Sequence, residues 1–426
     1  MPKRDFRFAH LADAHVGAWP REPAIRRALR ESLLRALAVV DTRDCEFLLI
    51  SGDLFHTPVP DPVEVAPVAA ALRELSTQGR RIYVIYGSHD YVAHRTSWLD
   101  VLAESGLFLR AAPAPVRAEG DRWTLPFLVD APTGCRIAGI SGRAQGLDRG
   151  YFLAVDSEAF RAEPGFKIFQ FHAAVQEYLP ESLRPHIRGV SREDLPGGCD
   201  YYAGGHIHMS YQGSGPGGQG ILVNPGAVFG TSATDVENAV RGRTHPGLVV
   251  VQVRNGVPEP EFVETAPKDL RVFDIDLTGE SAASAKQRLE EEVARQSAPG
   301  ALLFPRVHGT LSDGSVGTLG LRRSSDRDDP DQDGAIHWDV TGLTTVSADT
   351  LEPAVTTDHL ESEVLRRLLP ELPGAIARSR DPETLLRELL QELGRTPSEG
   401  EARVDYEVQR IDAVRRTLGR AGPPAR

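Results

Sequence analysis

The stretch IYVIYGSHDY, residues Ile82 to Tyr91, sets the reading of this chain. An apolar run with the β-branched and aromatic composition of a strand stops at Gly87 and gives way to Ser88, His89 and Asp90. A His-Asp pair presented where a strand ends suits a metal or phosphate site, and the same arrangement recurs elsewhere. Asp13-Ala14-His15 follows the strand-like Phe6 to Leu11, and Gly52-Asp53 follows Phe47 to Ser51. His172 follows Phe169-Gln170-Phe171, and Gly205-His206-Ile207-His208 follows Tyr201-Tyr202-Ala203. In open α/β sheets ligands collect at the carboxyl ends of strands, so segments far apart in the chain can converge there.

The intervening text supports that architecture. Ala24 to Val40 has helical spacing with Leu29, Leu33, Leu37 and Val40 on one face, and Val63 to Leu75 reads as a second helix, giving a βαβαβ pattern. Further apolar runs at Cys135 to Ala138, Lys167 to Phe171, Asp200 to Ala203, Gly220 to Val223 and Gly247 to Val253 extend the core to about Thr265. After Lys268 the texture changes to strand-like Arg271 to Leu277, a helix from about Ala282 to Gln296, and strand-like Leu302 to Leu311. The acidic, Pro/Gly-punctuated stretch Ser324 to Gly334 lacks the ligand spacing and closing Glu of a calcium loop and reads as an exposed loop. From Asp358 onward helical segments alternate with Pro and Gly. Leu385, Leu386, Leu389, Leu390 and Leu393 form one apolar stripe, and Val404, Val408, Ile411 and Leu418 a second, with Arg410, Arg415, Arg416 and Arg420 as a basic face.

Composition narrows the function. Across 426 residues, 48 Lys and Arg stand against 60 Asp and Glu, a formal charge of −12. Such a chain is not coated in basic surface, so any nucleic-acid contact is local, metal-assisted or shared with a partner. Three cysteines, Cys45, Cys135 and Cys199, with no CxxC spacing, suit a reducing compartment and exclude a cysteine-built zinc site. The N-terminus lacks the apolar core of a signal peptide, and no apolar run approaches about 18 residues, so a soluble cytoplasmic protein is expected.

Chemically the Asp/His set is a two-metal kit. Hard divalent cations want carboxylate oxygens, imidazole suits manganese, iron or zinc, and a carboxylate between two ions bridges them. Asp53 is the best bridging candidate. The glycines at 52, 87 and 205 are expected to let the backbone turn beside the metals. His206 and His208 are expected on one side of an extended segment, one ring for each ion.

The order D-x-H, G-D, G-S-H-D, H and G-H-x-H resembles the signature of the calcineurin-like metallophosphoesterases. FAHLADAHVG, LLISGDLFH, YGSHDY and YYAGGHIHMSY resemble one branch, the SbcD-type nuclease subunits of DNA double-strand-break repair. The resemblance implies a four-layer α/β/β/α core over residues 1–267, a small α+β capping domain over 268–350, and C-terminal helices over 351–426 that dock a partner. It assigns Asp13, His15, Asp53 and His208 to one metal, and Asp53, residue 88, His172 and His206 to the other. His89 would act on the leaving oxygen or the transition-state charge, Asp90 would orient its ring, and His56 would stand near the scissile phosphate. It further implies DNA as substrate, two divalent ions with manganese favoured, a coiled-coil ABC-type ATPase as partner, and a homodimer.

Ser88 departs from the family pattern, which has Asn there. A hydroxyl is shorter than an amide and a weaker donor to metal, so the second ion should be held less tightly. Two rival readings are a phosphodiesterase or phosphatase acting on a non-DNA substrate, and a catalytically weakened scaffold subunit. His10, His94, His186, His245, His308 and His359 fit no motif and read as ordinary polar residues. Tyr91, Tyr178, Tyr201, Tyr202 and Tyr211 either stack on bases or pack around the site. Arg95 and Arg143 either touch phosphate or are solvated.

Overall fold

The computed structural model describes residues 5–345 except 91–95, 113–115, 118–121, 143–147, 182, 186, 188 and 322–334, together with residues 385 and 388. Tyr91, His94, Arg95, Arg143, His186, His359, the loop at 324–334 and the C-terminal stripes as such therefore lie outside the described residues. The chain divides into two compact units, residues 1–346 and 347–426.

Two six-stranded sheets form the centre of the first unit. The first sheet runs Val257–Glu264, Gly247–Arg254, Phe6–Leu11, Phe47–Ser51, Arg81–Ile85, Leu109–Arg110. Its last four strands are parallel and its first two antiparallel. The second sheet runs Tyr211–Ser214, Ile221–Asn224, Tyr201–Ala203, Lys167–Phe171, Cys135–Ile140, Leu128–Asp130.

Strand alternation builds the layers. In Phe47–Ser51, Phe47 and Leu49 pack toward the second sheet, whereas Leu48 and Ile50 pack under the helices. Both faces are covered, which is why the strand reads as an unbroken apolar run. Between the sheets Phe8 stacks on Phe47, with ring centroids 5.0 Å apart, and meets Tyr201 edge-on at 5.1 Å. Burying one such ring stabilises the fold by about 1.5–3 kcal/mol. Outside the first sheet lie helices Pro23–Thr42, Pro62–Thr77 and Trp98–Glu104. The first starts on a proline, which needs no N–H partner there, and buries Ile25, Leu29, Leu33, Leu37 and Val40, the expected stripe. The second is capped by the Asp61 carboxylate, which accepts from Val63 N at 2.9 Å. The outer face of the second sheet is covered by residues of Asp148–Leu153 and Ser157–Ala162, through Phe152 and Phe160. The result is the expected α/β/β/α order.

Val257–Glu264 was not foreseen as a strand. Its sequence VPEPEFVE carries Pro258 and Pro260, which normally argue against a strand, but it lies at the sheet edge, where a missing N–H costs little.

A third sheet joins Leu270–Asp276, Leu302–Leu311, Ala335–Ile336 and Asp339–Thr345, all parallel, with helix Ala282–Gln296 packed on it. Ile275, Leu277, Ala285, Leu289, Val307, Leu311 and Leu343 form its own apolar cluster. Leu302, Phe304 and Ala335 join the helix-side cluster of the first sheet instead. Trp19 packs against Phe304 at 5.9 Å and His337 at 4.9 Å, and His337 Nδ1 lies 3.2 Å from the buried Glu22 carboxylate. Among the described residues no helix is long and apolar enough to cross a membrane.

Candidate metal centre

The carboxyl ends of Phe6–Leu11, Phe47–Ser51, Arg81–Ile85, Lys167–Phe171 and Tyr201–Ala203 meet at one place. There the structure brings together Asp13, His15, Asp53, Ser88, His89, His172, His206 and His208, with His56 beside them. Three groups of possible ligand atoms result: Asp13, His15 and His208 in one, Asp53, His172 and His206 in a second, and His15 with His56 and His89 in a third; the first two contain the carboxylates that hard cations want. Asp53 Oδ2 lies 3.2 Å from His172 Nε2 and 3.6 Å from His15 Nε2, so one carboxylate reaches into both groups.

The backbone is forced to make this convergence. Asp13, His15, Asp53 and His206 all have positive φ, at 51°, 47°, 52° and 88°. Such conformations are rare for residues with a Cβ and persist where surrounding structure holds them. His206 is therefore not part of an extended segment, as the His-x-His spacing suggested. The left-handed residue turns the chain, and the rings of His206 and His208 go to different groups. All three glycines are close-approach positions: a Cβ on Gly52 would sit 2.3 Å from His172 Nδ1, one on Gly87 2.0 Å from Asp53 Oδ1, and one on Gly205 2.2 Å from Ser51 O, and Gly52, with φ +90°, also makes a turn.

Hydrogen bonds brace the ligands across segments. Asp13 accepts from His206 N at 2.9 Å, and Asp53 accepts from His89 N at 2.8 Å. His172 Nδ1 lies 2.8 Å from Ser51 O, which makes Nδ1 the donor and aims Nε2 at Asp53. Nε2 is buried and poorly aligned for a hydrogen bond. On the other side His208 Nδ1 lies 2.9 Å from Asp235 Oδ2, and its Nε2 faces His15 Nε2 at 3.1 Å. Imidazole nitrogens facing each other beside carboxylates, together with His172 Nε2 buried without a hydrogen bond, are the donor set a divalent cation satisfies.

The charge states follow from this crowding. Burial works against the Asp53 charge, but His172, His15 and the His89 N–H hold its carboxyl well below the usual range. Burial also opposes a charged His172, yet the adjacent Asp53 pushes it up to about 10. Asp13 is pushed up to about 6 by burial, against the pull of His172 and His208 and with the Asp53 charge adding to the rise. Burial and its histidine neighbours bring His206 down to about 4. Without metal, then, a proton on His172 neutralises Asp53 where a cation would. We expect manganese binding near pH 7 to release at least about one proton, that of His172, because Nε2 must be bare to act as a ligand, with a further contribution from His208, which, against burial, Asp235 raises above its ordinary value. Calorimetry in buffers of different ionisation enthalpy checks this, and a buffer-independent heat would contradict it.

Two roles differ from expectation. Asp90 does not meet the His89 ring. Its buried carboxylate accepts from Gly87 N at 3.0 Å, Phe55 N at 3.1 Å and Leu54 N at 3.3 Å, tying the 87–90 turn to the loop after Asp53. Burial and the nearby Asp53 charge push it up to about 7. The His89 ring is instead held by His56: its Nδ1 lies 2.9 Å from His56 O, and the two rings stack at 5.1 Å. His89 is exposed at the mouth of the site, as a residue meeting substrate would be. Ser88 Oγ points at Asp53 Oδ2, 3.3 Å away.

His10, read as ordinary, is fully buried between the sheets. Its Nε2 lies 3.0 Å from Ser51 Oγ and 3.1 Å from Gly204 O, and its Nδ1 3.0 Å from Tyr201 Oη. Burial takes it down to about 3, so it is neutral, and it pins together the strand ends that carry Asp53 and His206. Tyr201 and Tyr202 are buried and cannot stack on a base, while Tyr178 and Tyr211 stack on each other at 5.4 Å. Asp235 was not singled out, although Ser232-x-x-Asp235 has capping-box spacing.

Known proteins resemble the part of the chain that carries these residues. The calcineurin-like phosphoesterase family model matches residues 6–210. A protein of Archaeoglobus fulgidus named DNA double-strand break repair protein Mre11 is 25% identical over 318 residues, 70% of this chain and 67% of that protein. Proteins of the same name from Methanopyrus kandleri and Methanococcus maripaludis are 27% identical over 300 residues and 26% over 208, covering 62% and 51% of their lengths.

Proposed function

Residues 6–210 constitute a calcineurin-like phosphoesterase domain, and from that premise we propose that the chain is a metal-dependent nuclease hydrolysing DNA phosphodiester bonds in double-strand-break repair. The observation that carries the reading is Asp53, one carboxylate reaching both ligand groups. Asp13, His15 and His208 hold one ion with Asp53, and His172 and His206 hold the second with Asp53 and, weakly, Ser88. When bound, two divalent ions polarise a phosphoryl oxygen and neutralise the charge that builds in the transition state. Manganese suits the mixed Asp/His donors. The exposed His89 presents its ring to the leaving oxygen, backed by His56. Residues 1–267 are read as the nuclease domain, 268–350 as the capping domain that positions DNA, and 351–426 as the helices that dock a coiled-coil ABC-type ATPase; the active form is a homodimer in the cytoplasm. With a formal charge of −12, the partner supplies the basic surface that DNA binding needs. The test is cleavage of single- and double-stranded DNA by the purified chain with manganese, alone and with the cognate ATPase. Absence of cutting in every combination would reject the assignment, and failure to co-purify would reject the partner.

Ser88 gives a graded test. Its Oγ hydrogen-bonds the bridging carboxylate rather than extending past it. Ser88→Asn should bring an amide oxygen one bond farther into the second group and lower the manganese needed for half-maximal activity by about 10-fold. An unchanged titration would show that the second site is already complete.

A further inference from the structure

We propose that Asp235 is a positioning residue for the first metal: it fixes the tautomer and direction of His208 while capping the start of its own helix, Ala233–Val240. This rests on the reading of His208 as a ligand. Asp235 Oδ2 lies 2.9 Å from His208 Nδ1 and also accepts from Thr231 N at 2.8 Å and Ser232 N at 3.1 Å. One carboxylate oxygen thus holds the imidazole and two backbone donors at the start of helix Ala233–Val240. Because Nδ1 must be the donor in that pair, Nε2 is left as the lone pair facing His15 and the Asp13 group. A ring free to flip or change tautomer would present the wrong atom half the time.

The surroundings serve this contact. Gly230 has φ +116°, and a Cβ there would sit 2.4 Å from Asp235 Cβ, so the chain passes Asp235 with no room for a side chain. The peptide bearing His208 is held from a different side: Asn224 Nδ2 donates to Ile207 O at 2.7 Å and Met209 O at 2.9 Å, and Ala227 N donates to His208 O at 3.0 Å. Asn224 and Ala227 thus hold the backbone of this ligand, and Asp235 holds its ring. Two residues farther along the helix, Glu237 pairs with Arg306, which also holds Asp274 at 2.8 Å in the third sheet. The helix that aims His208 is therefore itself braced by the small α+β module.

The experiment compares manganese binding by the full chain with that of Asp235→Asn and Ser232→Ala. Asp235→Asn keeps one oxygen for the Thr231 and Ser232 N–H groups and for His208 Nδ1, but removes the charge that holds Nδ1 as the donor and raises the basicity of Nε2 as a ligand. Ser232→Ala removes the reciprocal cap, in which Ser232 Oγ accepts from Asp235 N at 3.2 Å, and leaves the His208 contact intact. The expected result is that Asp235→Asn weakens one of the two binding events by about 10–100-fold and leaves the other unchanged. Ser232→Ala should lower the melting temperature of the metal-free protein with no change in either binding event. Unaltered binding by Asp235→Asn, or equal weakening by Ser232→Ala, overturns the role. A native chain that takes up no manganese at all rejects the metal reading beneath it.

Discussion

Asp53→Asn is expected to abolish DNA cleavage and to weaken both metal sites together, by at least about 100-fold each, the upper end of what loss of an outer-shell partner costs. The substitution is chosen because it preserves shape. Asn tolerates the left-handed φ of 52° at this position, and its amide oxygen still accepts from His89 N. What it removes is the one negative charge shared by both groups. Asp13 and Asp90 both feel that charge, and their upward displacement arises from burial first and from Asp53 after it. With the charge gone, His172 loses the neighbour that keeps it protonated, so the metal-free variant should titrate His172 at lower pH than the native chain. Calorimetric titration with manganese, read beside a cleavage assay, checks both effects. Retention of one ion at native affinity would show that the two groups do not share this carboxylate.

Much of this was legible in sequence because period and position coincide. A strand buried on both faces is an apolar run with a hard stop, and the ligands sit at the stops; Phe6–Leu11, Phe47–Ser51 and Lys167–Phe171 were readable on that basis. What escaped were contacts made across the fold. His10 shares a strand face with Phe6 and Phe8, which pack toward the second sheet, but only the structure puts Ser51 and Gly204 opposite it. Asp235 carried a capping signal, yet no spacing rule connects a helix start to a histidine on a distant segment. Asp90 was misassigned because it stands next to His89 in the chain, whereas its carboxylate is taken up by three backbone N–H groups that would otherwise be buried without partners. The edge strand Val257–Glu264 was hidden by prolines that are costly only in the interior of a sheet.

His89→Ala should separate chemistry from metal binding. Its ring gathers with those of His15 and His56, the group without a carboxylate, and makes no hydrogen bond to the two carboxylate-bearing groups; it lies 4.8 Å from the His15 ring, stacked on His56, with Nδ1 directed to His56 O. That orientation makes Nδ1 the donor and leaves Nε2 as the nitrogen of this exposed ring open to a leaving oxygen. The metal-supporting part of this residue is its backbone N–H to Asp53, which alanine retains. Manganese affinity should therefore stay within about two-fold of native while kcat falls by about 10²–10⁴-fold, the range for loss of a positioned acid or base. The contrast with Asp53→Asn is the informative part, because a residue acting on the transition state lowers kcat at saturating metal, and added manganese does not restore it. Recovery of native turnover at high manganese would place His89 among the metal-supporting residues and remove it from the chemistry.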